Sequence, residues 1–488
     1  MTLPSFQLLL VFLLLAALCS SALHPTTLSR FRRLRKVATT SEFSDEIKPE
    51  YQTHYYKQTL DHFNYKPESY AKFKQRYILN YKYWGGANTN SPIFVYLGEE
   101  GDITDDLKGF IVNLASHFKG LLLYIEHRYY GESMPFGSED EAFRNSSTLG
   151  YLSSEQALAD YAEVITHVKE KLSAAKCPAI AIGGSYGGEL ASWFRLKYPH
   201  IVIGALASSA PILYFDDIIP QNGYHSIVTK DFKEISESCY NTIKQSWSEI
   251  DKVAAQLNGL LTLGNKFNTC RLLNSSRELK EHIEYSYLFS AQYESPQYKG
   301  VENVCNAIDG APEGTDILGR IAAGFHRYSG KGCVEIVSHG FSNKSAWDWQ
   351  TCTEHVTKIG YGYNETMFQA SPFDMKSYIK ECFEVFGIKP RPHWITTEFG
   401  GHDIKTVLEN FGSNIIFSNG LQDPYSIGGV LEDISDSVVA VYTKQGAHCL
   451  DIVSSTPHDP DWLIAQQDKE IKIIAVWIAE YYAKISNK

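Results

Sequence analysis

Short, uninterrupted apolar runs alternate with amphipathic segments over much of the chain. In its first half such runs lie at 92–97, 121–125, 179–182 and 201–207. Runs of this length suit strands that are buried on both faces, as in a parallel sheet. Between them, helical spacing extends from Ser153 or Ser154, which would cap the helix, to about Ala175, and again from Gly187 to Pro199. The alternation predicts an α/β sheet with right-handed crossovers.

This pattern is preceded by a different one and then interrupted. Residues 51–84 contain the polar and apolar alternation of a β-hairpin. From Tyr214 to about Trp394 the chain instead shows mixed helical periodicities with many Gly and Ser residues. We therefore predict a largely helical insertion at 214–394.

Strand-like sequence returns after the insertion. Apolar runs lie at 414–417 and 437–442, and an amphipathic helix is expected at about 462–485. The simplest organisation is one α/β domain made of two pieces of sequence, 51–213 and 395–488.

The amino-terminal segment has the features of a secretory signal. An apolar stretch at 6–18 is followed by small residues at 19–22, and it is too short to cross a bilayer. We expect a signal peptide at 1–22. The segment 23–50 contains a basic cluster and is either a pro-segment or a solvated tail. No other run has the length of a membrane span.

Composition excludes two broad classes of protein. Hydrophobic residues make up 44% of the 488 residues and charged residues 21%, which excludes global disorder. Lys and Arg number 45 against 56 Asp and Glu, so the formal net charge is −11. A nucleic-acid partner is not expected, because such a protein needs a cationic surface.

Cysteines and glycosylation sequons agree with export. Once Cys19 leaves with the signal, the insertion holds most of the remaining cysteines: Cys239, Cys270, Cys305, Cys333, Cys352 and Cys382. Disulfides are expected among these, and the sequence does not choose the pairing. No C-x-x-C pair is present, so no structural zinc site is expected. The candidate glycosylation sites are Asn145, Asn274, Asn343 and Asn364.

The segment 182–188 contains G-x-S-x-G, with Ser185 between a buried-type strand and a helix. A serine at such a turn projects its hydroxyl at the carboxyl edge of the sheet. The helix that follows offers free N–H groups and its positive dipole end to a developing oxyanion. Ser185 is therefore the candidate nucleophile, and the backbone N–H of Tyr186 is one candidate oxyanion donor.

A serine nucleophile needs a histidine base that is oriented by a carboxylate. In hydrolases built on this kind of sheet, the chain order is Ser, then Asp or Glu, then His. Asp423 and His448 each lie in a loop after a predicted strand, in that order behind Ser185. We predict that the three form a catalytic triad.

Several ordered motifs resemble one family, the prolyl-directed serine peptidases that include lysosomal Pro-X carboxypeptidase and dipeptidyl peptidase II. The motifs are Glu126-His127-Arg128-Tyr129-Tyr130-Gly131-Glu132-Ser133, the segments 183–188 and 208–211, Ser418-Asn419-Gly420 with Asp423-Pro424, and Gly446-Ala447-His448. The similarity extends from about Tyr56 to the last helix and is greater to the carboxypeptidase branch. It implies an α/β-hydrolase fold with a large, disulfide-containing helical cap, the triad Ser185, Asp423 and His448, and no metal or organic cofactor.

A second oxyanion donor is expected from the loop 98–101, at the backbone N–H of Glu99, because that loop follows the first sheet strand. The alternative interpretation is a solvated acidic turn. We expect the segment 126–133 to brace the floor of the site through a buried His–Arg network.

Three positions depart from what the family usually has. Glu189 stands in place of Met, Tyr425 in place of Trp, and Cys449 where relatives often have His. Glu189 and Tyr425 are candidate substrate-pocket residues by this resemblance. Cys449 is expected to be unpaired with Cys177, because a full strand length separates them.

The leading hypothesis is a serine exopeptidase that cleaves after a penultimate proline at the carboxyl terminus of peptides. It implies peptide substrates with proline near one end, and extracellular or lysosomal (vacuolar) localisation; a homodimer is left open. The alternatives are a dipeptidyl peptidase that releases N-terminal X-Pro dipeptides and a hydrolase-fold binding protein without turnover. An ester lipase is less favoured, because no HGGG-type oxyanion segment is present.

Overall fold

The computed structural model describes residues 50–330, 332–336, 345–362 and 366–486. The predicted signal peptide, and all of the segment 23–50 except its last residue, lie outside these ranges. Within them, the chain forms one sheet with helices on both faces and a helical region between two of its strands.

Eight strands make up the sheet, in the order β1-β2-β4-β3-β5-β6-β7-β8. They are β1 (Tyr51–Thr59), β2 (Lys72–Asn80), β3 (Ile93–Leu97), β4 (Leu121–Ile125), β5 (Ala179–Gly184), β6 (Gly204–Ser208), β7 (Ile415–Gly420) and β8 (Val438–Thr443). The β1–β2 hairpin and the β2–β4 pair are antiparallel. All later neighbours are parallel, from β4 across to β8.

Helices connect the strands before the interruption and after it. The first set is α1 (Phe110–Phe118), α2 (Glu139–Ala142), α3 (Ser146–Leu149), α4 (Ser154–Lys171) and α5 (Tyr186–Lys197). Ser153 caps α4, as predicted, by accepting the Gln156 N–H. Between β6 and β7 lie α6 (Gly223–Ile235), α7 (Glu237–Ala254), α8 (Gly259–Lys266), α9 (Ser276–Gln292), α10 (Gly300–Asp309), α11 (Ile317–Ser329), α12 (Ala346–Thr353), α13 (Met375–Phe386), α14 (Trp394–Phe399) and α15 (Ile404–Phe411). The last helix is α16 (Asp461–Ser486).

Alternate residues of the central strands face opposite sides of the sheet. In β3, Ile93, Val95 and Leu97 pack with α4 and α5, whereas Phe94 and Tyr96 pack with α1 and α16. All five side chains are buried, which explains why the run is continuously apolar. Burying each aliphatic side chain of this kind stabilises the folded protein by about 1.5–3 kcal/mol relative to leaving it exposed.

The strand predicted at 201–207 is shorter in the structure than the apolar run in the sequence, and it begins three residues later. The strand begins at Gly204, and the residues before it form a turn. The reason is Arg195, whose guanidinium donates to the carbonyl oxygens of Pro199 (3.0 Å) and Val202 (2.6 Å). Because these carbonyl oxygens accept from Arg195, the residues before Gly204 form a turn and the strand begins after them.

The region between β6 and β7 has an apolar cluster of its own in helices α6 to α11, whereas α14 and α15 pack with the sheet. Three disulfides connect this region: Cys239–Cys305, Cys270–Cys333 and Cys352–Cys382. Cys177 and Cys449 are free, as predicted. Helices α12 and α13 pack instead against residues that follow β4, among them Tyr129 and Leu152.

The strand order, the parallel centre and the helices on both faces constitute the predicted α/β-hydrolase fold with a helical, disulfide-linked insertion. No helix in the described ranges has the length and apolar character needed to cross a bilayer. Over those same residues, no group of three His, Cys, Asp or Glu side chains is arranged to hold a metal ion.

Candidate active site

Ser185 occupies the sharp turn between β5 and α5. Its φ of 54° and ψ of −125° lie in a sparsely populated region that costs a non-glycine residue about 1–3 kcal/mol. The Ser185 N–H donates to the Ser208 carbonyl oxygen at the end of β6, at 2.9 Å. A Cβ at Gly183 would lie 2.1 Å from the Gly187 carbonyl oxygen, so the turn requires glycine there. The segment is thus a strained strand–turn–helix elbow.

Asp423 and His448 meet at the same edge of the sheet. The Nδ1 atom of His448 lies 2.7 Å from Oδ2 of Asp423, and both residues are buried. Asp423 Oδ1 accepts the Tyr425 N–H at 2.9 Å, which fixes the carboxylate in its turn. With Nδ1 facing the carboxylate, the imidazole has Nε2 available for proton transfer.

The chain neighbours of Ser185 and His448 contact each other. A Cβ placed on Gly184 would lie 2.8 Å from the sulfur of Cys449. The Cys449 N–H donates to Ser209 Oγ at 2.9 Å, just beyond β6. The elbow and the histidine loop therefore lie together at the carboxyl ends of β5 and β6.

The electrostatic environment of His448 favours its protonated form. Burial alone would lower the pKa of the imidazole, but the Asp423 carboxylate outweighs burial, with a contribution from the contact with Cys449. The pKa of His448 consequently lies well above its ordinary value. This is the direction expected for a histidine that must accept a proton from a serine hydroxyl.

The hydroxyl of Tyr186, the residue after Ser185, is held by three groups. It lies 3.1 Å from His127 Nε2, 3.1 Å from Ser154 Oγ and 2.8 Å from Gln350 Nε2. Burial raises the pKa of this phenol well above its ordinary value, so the hydroxyl stays protonated. The Tyr186 backbone N–H lies at the start of α5, where it was predicted as an oxyanion donor.

The segment 126–133 braces this floor through two buried side chains. His127 contacts Tyr186 as described, and Arg128 donates to Asp160 from Nε (2.7 Å) and from an NH₂ group (2.6 Å). Both side chains are thus buried and hydrogen-bonded, but to different partners: His127 contacts Tyr186 at the floor, and Arg128 joins the segment to α4.

Glu99 lies in the loop directly after β3 and against the first turn of α5. A Cβ on Gly187 would lie 3.4 Å from the Cβ of Glu99. The loop is held by the hydrogen bond from the Tyr161 hydroxyl to the Gly98 carbonyl oxygen, at 2.7 Å. Glu99 is buried, so the alternative prediction of a solvated acidic turn does not describe it.

The two predicted pocket residues are both buried but lie in different surroundings. Glu189, in the first turn of α5, pairs with His355 from the insertion, with 2.5 Å between Oε2 and Nε2. The Tyr425 ring lies 5.5 Å from the His448 ring and 4.9 Å from the Tyr224 ring of α6, centroid to centroid.

Two further carboxyl groups lie under the carboxyl edge of the sheet. Asp451 Oδ1 accepts from Ser208 Oγ at 2.5 Å, and Glu470 Oε1 accepts from Ser418 Oγ at 2.7 Å. Burial raises the pKa of both carboxyls, that of Glu470 strongly. They support the end of β6, whose last carbonyl accepts the Ser185 N–H, and the end of β7, from which the Asp423 loop departs.

Sequence reasoning did not find Gln350, His355, Asp451 or Glu470. None of them lies in a motif, and their contacts join distant parts of the chain, for example His355 with Glu189 across 166 positions. No local pattern of residues could have indicated these pairs.

The predicted glycosylation sites are in part described by the structure. Asn145 and Asn274 are exposed. The Asn145 side chain caps α3 through its Oδ1 atom, which accepts the Ser147 N–H at 2.9 Å. Asn343 and Asn364 lie outside the described residues.

Known proteins are similar to this chain over most of its length. The family model described as "Serine carboxypeptidase S28" matches residues 58–470. The chain is 38% identical to lysosomal Pro-X carboxypeptidase of Mus musculus, covering 89% of this chain and 91% of that protein. It is 36% identical to the Bos taurus protein of the same name, covering 98% of each. Among solved structures, an acetylester hydrolase from Corynebacterium glutamicum aligns with a TM-score of 0.38 at 12% identity, over 86% of this chain and 95% of that one.

Proposed function

Because this chain belongs to the serine carboxypeptidase S28 family, we propose that it removes the residue after a penultimate proline from the carboxyl terminus of peptides. The relatives named lysosomal Pro-X carboxypeptidase support this substrate class. The single observation that carries the proposal is the His448–Asp423 contact of 2.7 Å beside the strained Ser185 elbow.

The proposed reaction is acyl transfer to Ser185. Its Oγ attacks the carbonyl carbon of the proline residue while His448 Nε2 accepts the hydroxyl proton. His448 then gives that proton to the leaving amine as the C–N bond breaks, which leaves an acyl ester on Ser185. Water attacks the ester with His448 again as base, and the shortened peptide leaves. Asp423 holds the imidazole in the required tautomer throughout.

The negative oxygen that forms in each step needs hydrogen-bond donors. We assign this role to the backbone N–H groups of Tyr186 and Glu99. The position of Tyr186 at the start of α5 supports the assignment, because the amino-terminal end of a helix favours negative charge.

Glu189 and Tyr425 are assigned to the walls around the reacting bond, and the insertion 214–394 to a cap that restricts access. Tyr425 supports this through its ring contacts with His448 on one side and Tyr224 of the insertion on the other. The backbone N–H of His448 also donates to the Gln292 carbonyl oxygen at the end of α9, at 3.0 Å. A cap that contacts the base directly would leave room for a peptide end and exclude a folded protein.

Three disulfides and the lysosomal names of the relatives point to the secretory pathway and the lysosome. Glycosylation at the four sequons and a homodimeric state remain predictions. Peptide mapping after glycosidase treatment tests the first, and light scattering on the purified protein tests the second.

The deciding experiment compares Ala-Pro-Phe with the same peptide blocked at its amino terminus. A carboxypeptidase releases Phe from both, whereas a dipeptidyl peptidase releases Ala-Pro from the free peptide alone. A binding protein without turnover would cleave neither peptide. Labelling by a fluorophosphonate that is lost in Ser185→Ala would identify the nucleophile, and retained labelling would contradict the assignment.

A further inference from the structure

We propose that His355, which lies in the helical insertion, is a positioning residue that offsets the negative charge of Glu189 beside the nucleophile turn. The inference rests on the proposed function, because it takes Ser185 as the nucleophile. It assigns the insertion a part in the chemical step that is separate from restricting access.

Glu189 is tied to the elbow by its backbone. Its N–H donates to the Ser185 carbonyl oxygen at 3.0 Å, so its Cα lies one helical turn, about 6 Å along the axis, from that of the nucleophile. The Glu189 side chain is fully buried, and its Oε1 atom has no hydrogen-bond partner among the described residues. The contact from Oε2 to His355 Nε2, at 2.5 Å, is the one ion pair of Glu189 within the described ranges.

The imidazole of His355 is enclosed by aromatic rings. The ring centroids of Phe215, Trp347 and Tyr186 lie 4.8, 4.9 and 5.5 Å from that of His355. His355 itself is buried. Water and dissolved ions are thus kept from the pair, and charge interactions in such surroundings are stronger than at a surface.

This environment makes the charge of Glu189 matter for catalysis. The reaction builds negative charge on an oxygen at the amino-terminal end of α5, and the free N–H groups there stabilise it. A carboxylate one turn away opposes that stabilisation unless its charge is offset. The His355 Nε2–H is directed at this carboxylate and offsets it.

The test measures how fast a fluorophosphonate labels Ser185 in the full-length protein, because this reaction builds charge in the oxyanion hole without needing a peptide. We expect His355→Leu to label about tenfold more slowly, since it leaves the Glu189 carboxylate unpaired. Adding Glu189→Gln in the same chain removes the charge and should restore the rate to within about threefold of wild type. With a peptide substrate, kcat should fall in His355→Leu with little change in KM. In the double variant kcat should recover, and its KM then reports separately on the proposed place of Glu189 in the pocket wall.

A matched control is His225→Leu. His225 is also buried in the insertion and pairs with a glutamate, Glu284, at 3.2 Å, but it lies outside the contacts of α5. This variant should label at the wild-type rate even where its unfolding temperature falls.

Labelling of His355→Leu at the wild-type rate would overturn the inference, as would a double variant that stays tenfold slow. If His355→Leu yields no folded protein, the double variant alone is measured. Labelling within about threefold of the wild-type rate then supports the inference, and labelling about tenfold slower overturns it. Failure of the proposed function is distinguishable in two ways: a wild type that is not labelled at Ser185 refutes the nucleophile, and a blocked Ala-Pro-Phe that stays intact refutes the carboxypeptidase activity without changing the ratio of labelling rates between the variants.

Discussion

His448 and Asp423 are joined by a contact that leaves the carboxylate little freedom. Oδ2 of Asp423 lies 2.7 Å from His448 Nδ1, while Oδ1 accepts the Tyr425 N–H at 2.9 Å. Each oxygen is therefore assigned to one donor, and rotation of the carboxylate would break both contacts. The imidazole is held with Nδ1 toward Asp423 and with Nε2 available to a second group.

Replacing Asp423 by Asn should therefore impair catalysis more than binding. The amide can donate to Nδ1, which would place the ring proton on Nε2, where the proposed mechanism needs an acceptor. We expect kcat to fall by about 10³–10⁴-fold with a small change in KM. Steady-state kinetics on a Pro-Phe peptide measures both.

The control for this variant is Asp433→Asn. Asp433 is exposed in the loop before β8 and accepts the Ala440 N–H at 2.8 Å, without contact to His448. It should retain the wild-type kcat. An Asp423→Asn enzyme with a comparable kcat would show that the carboxylate does not orient the base.

The pH dependence of activity should report the pKa of His448. Because Asp423 raises that pKa above the ordinary 6.5, the imidazole is protonated and inactive as a base at pH values where a free histidine would be neutral. The acidic limb of kcat/KM should thus have its midpoint above pH 6.5. In Asp423→Asn the residual activity should have its midpoint at lower pH. A limb that does not move between the two proteins would assign it to another group.

The strands and the positions of the candidate triad residues were predictable because their signals are local or ordered. β3 and β5 are continuously apolar since both faces of the sheet are covered, and that pattern is visible in the sequence. The motif around Ser185 and the chain order of Asp423 and His448 then select three residues. The structure places the last two in contact and the first in a strained turn beside them.

The contacts between the insertion and the sheet were not predictable. The pairing of the insertion cysteines, the hydrogen bond from Gln350 to Tyr186 and the pair of His355 with Glu189 all join residues far apart in sequence. Such contacts depend on how the insertion packs, and hydrophobic periodicity does not encode that packing. The predicted start of β6 was wrong for a related reason, since the Arg195 side chain holds the carbonyls of Pro199 and Val202, just before the strand, in a turn.

Gly183, two residues before Ser185, should tolerate no side chain. In Gly183→Ala the new Cβ would lie 2.1 Å from the Gly187 backbone oxygen, so the turn must shift. We expect a loss of about 3 kcal/mol in the free energy of unfolding, together with loss of fluorophosphonate labelling. Urea unfolding of the purified variant measures the first effect.

Gly150→Ala serves as the comparison for that variant. Gly150 has an ordinary helical φ of −59°, and its nearest contact to a new Cβ would be 3.2 Å, to the Ser146 carbonyl oxygen. Its stability should change by less than about 1 kcal/mol. Equal losses in the two variants would mean that the elbow is not specially constrained.

The stability of the protein should fall as the pH rises from about 4 to about 8. Burial raises the pKa of Asp231, on α6, to about 8 and that of Glu294 to about 7. Both Asp231 oxygens are buried without a hydrogen-bond partner among the described residues, and the nearest cation, Lys230 Nζ, is 3.9 Å away. The groups around it are otherwise acidic: Glu234, Glu294 and Asp423.

The direction of this change in stability with pH follows from comparing the protonation of Asp231 in the folded and unfolded states. Between pH 3.8, the ordinary value of the aspartate pKa, and about 8, the unfolded chain has lost the Asp231 proton while the folded protein keeps it. The folded state therefore loses about 1.4 kcal/mol of stability per pH unit across that window from this group. Asp231→Asn removes the titration, so it should flatten the decline and make the protein more stable than wild type at pH 7. Urea unfolding of both proteins at pH 4.5, 6 and 7.5 measures the slopes, and parallel curves would show that Asp231 is ionised in the folded state.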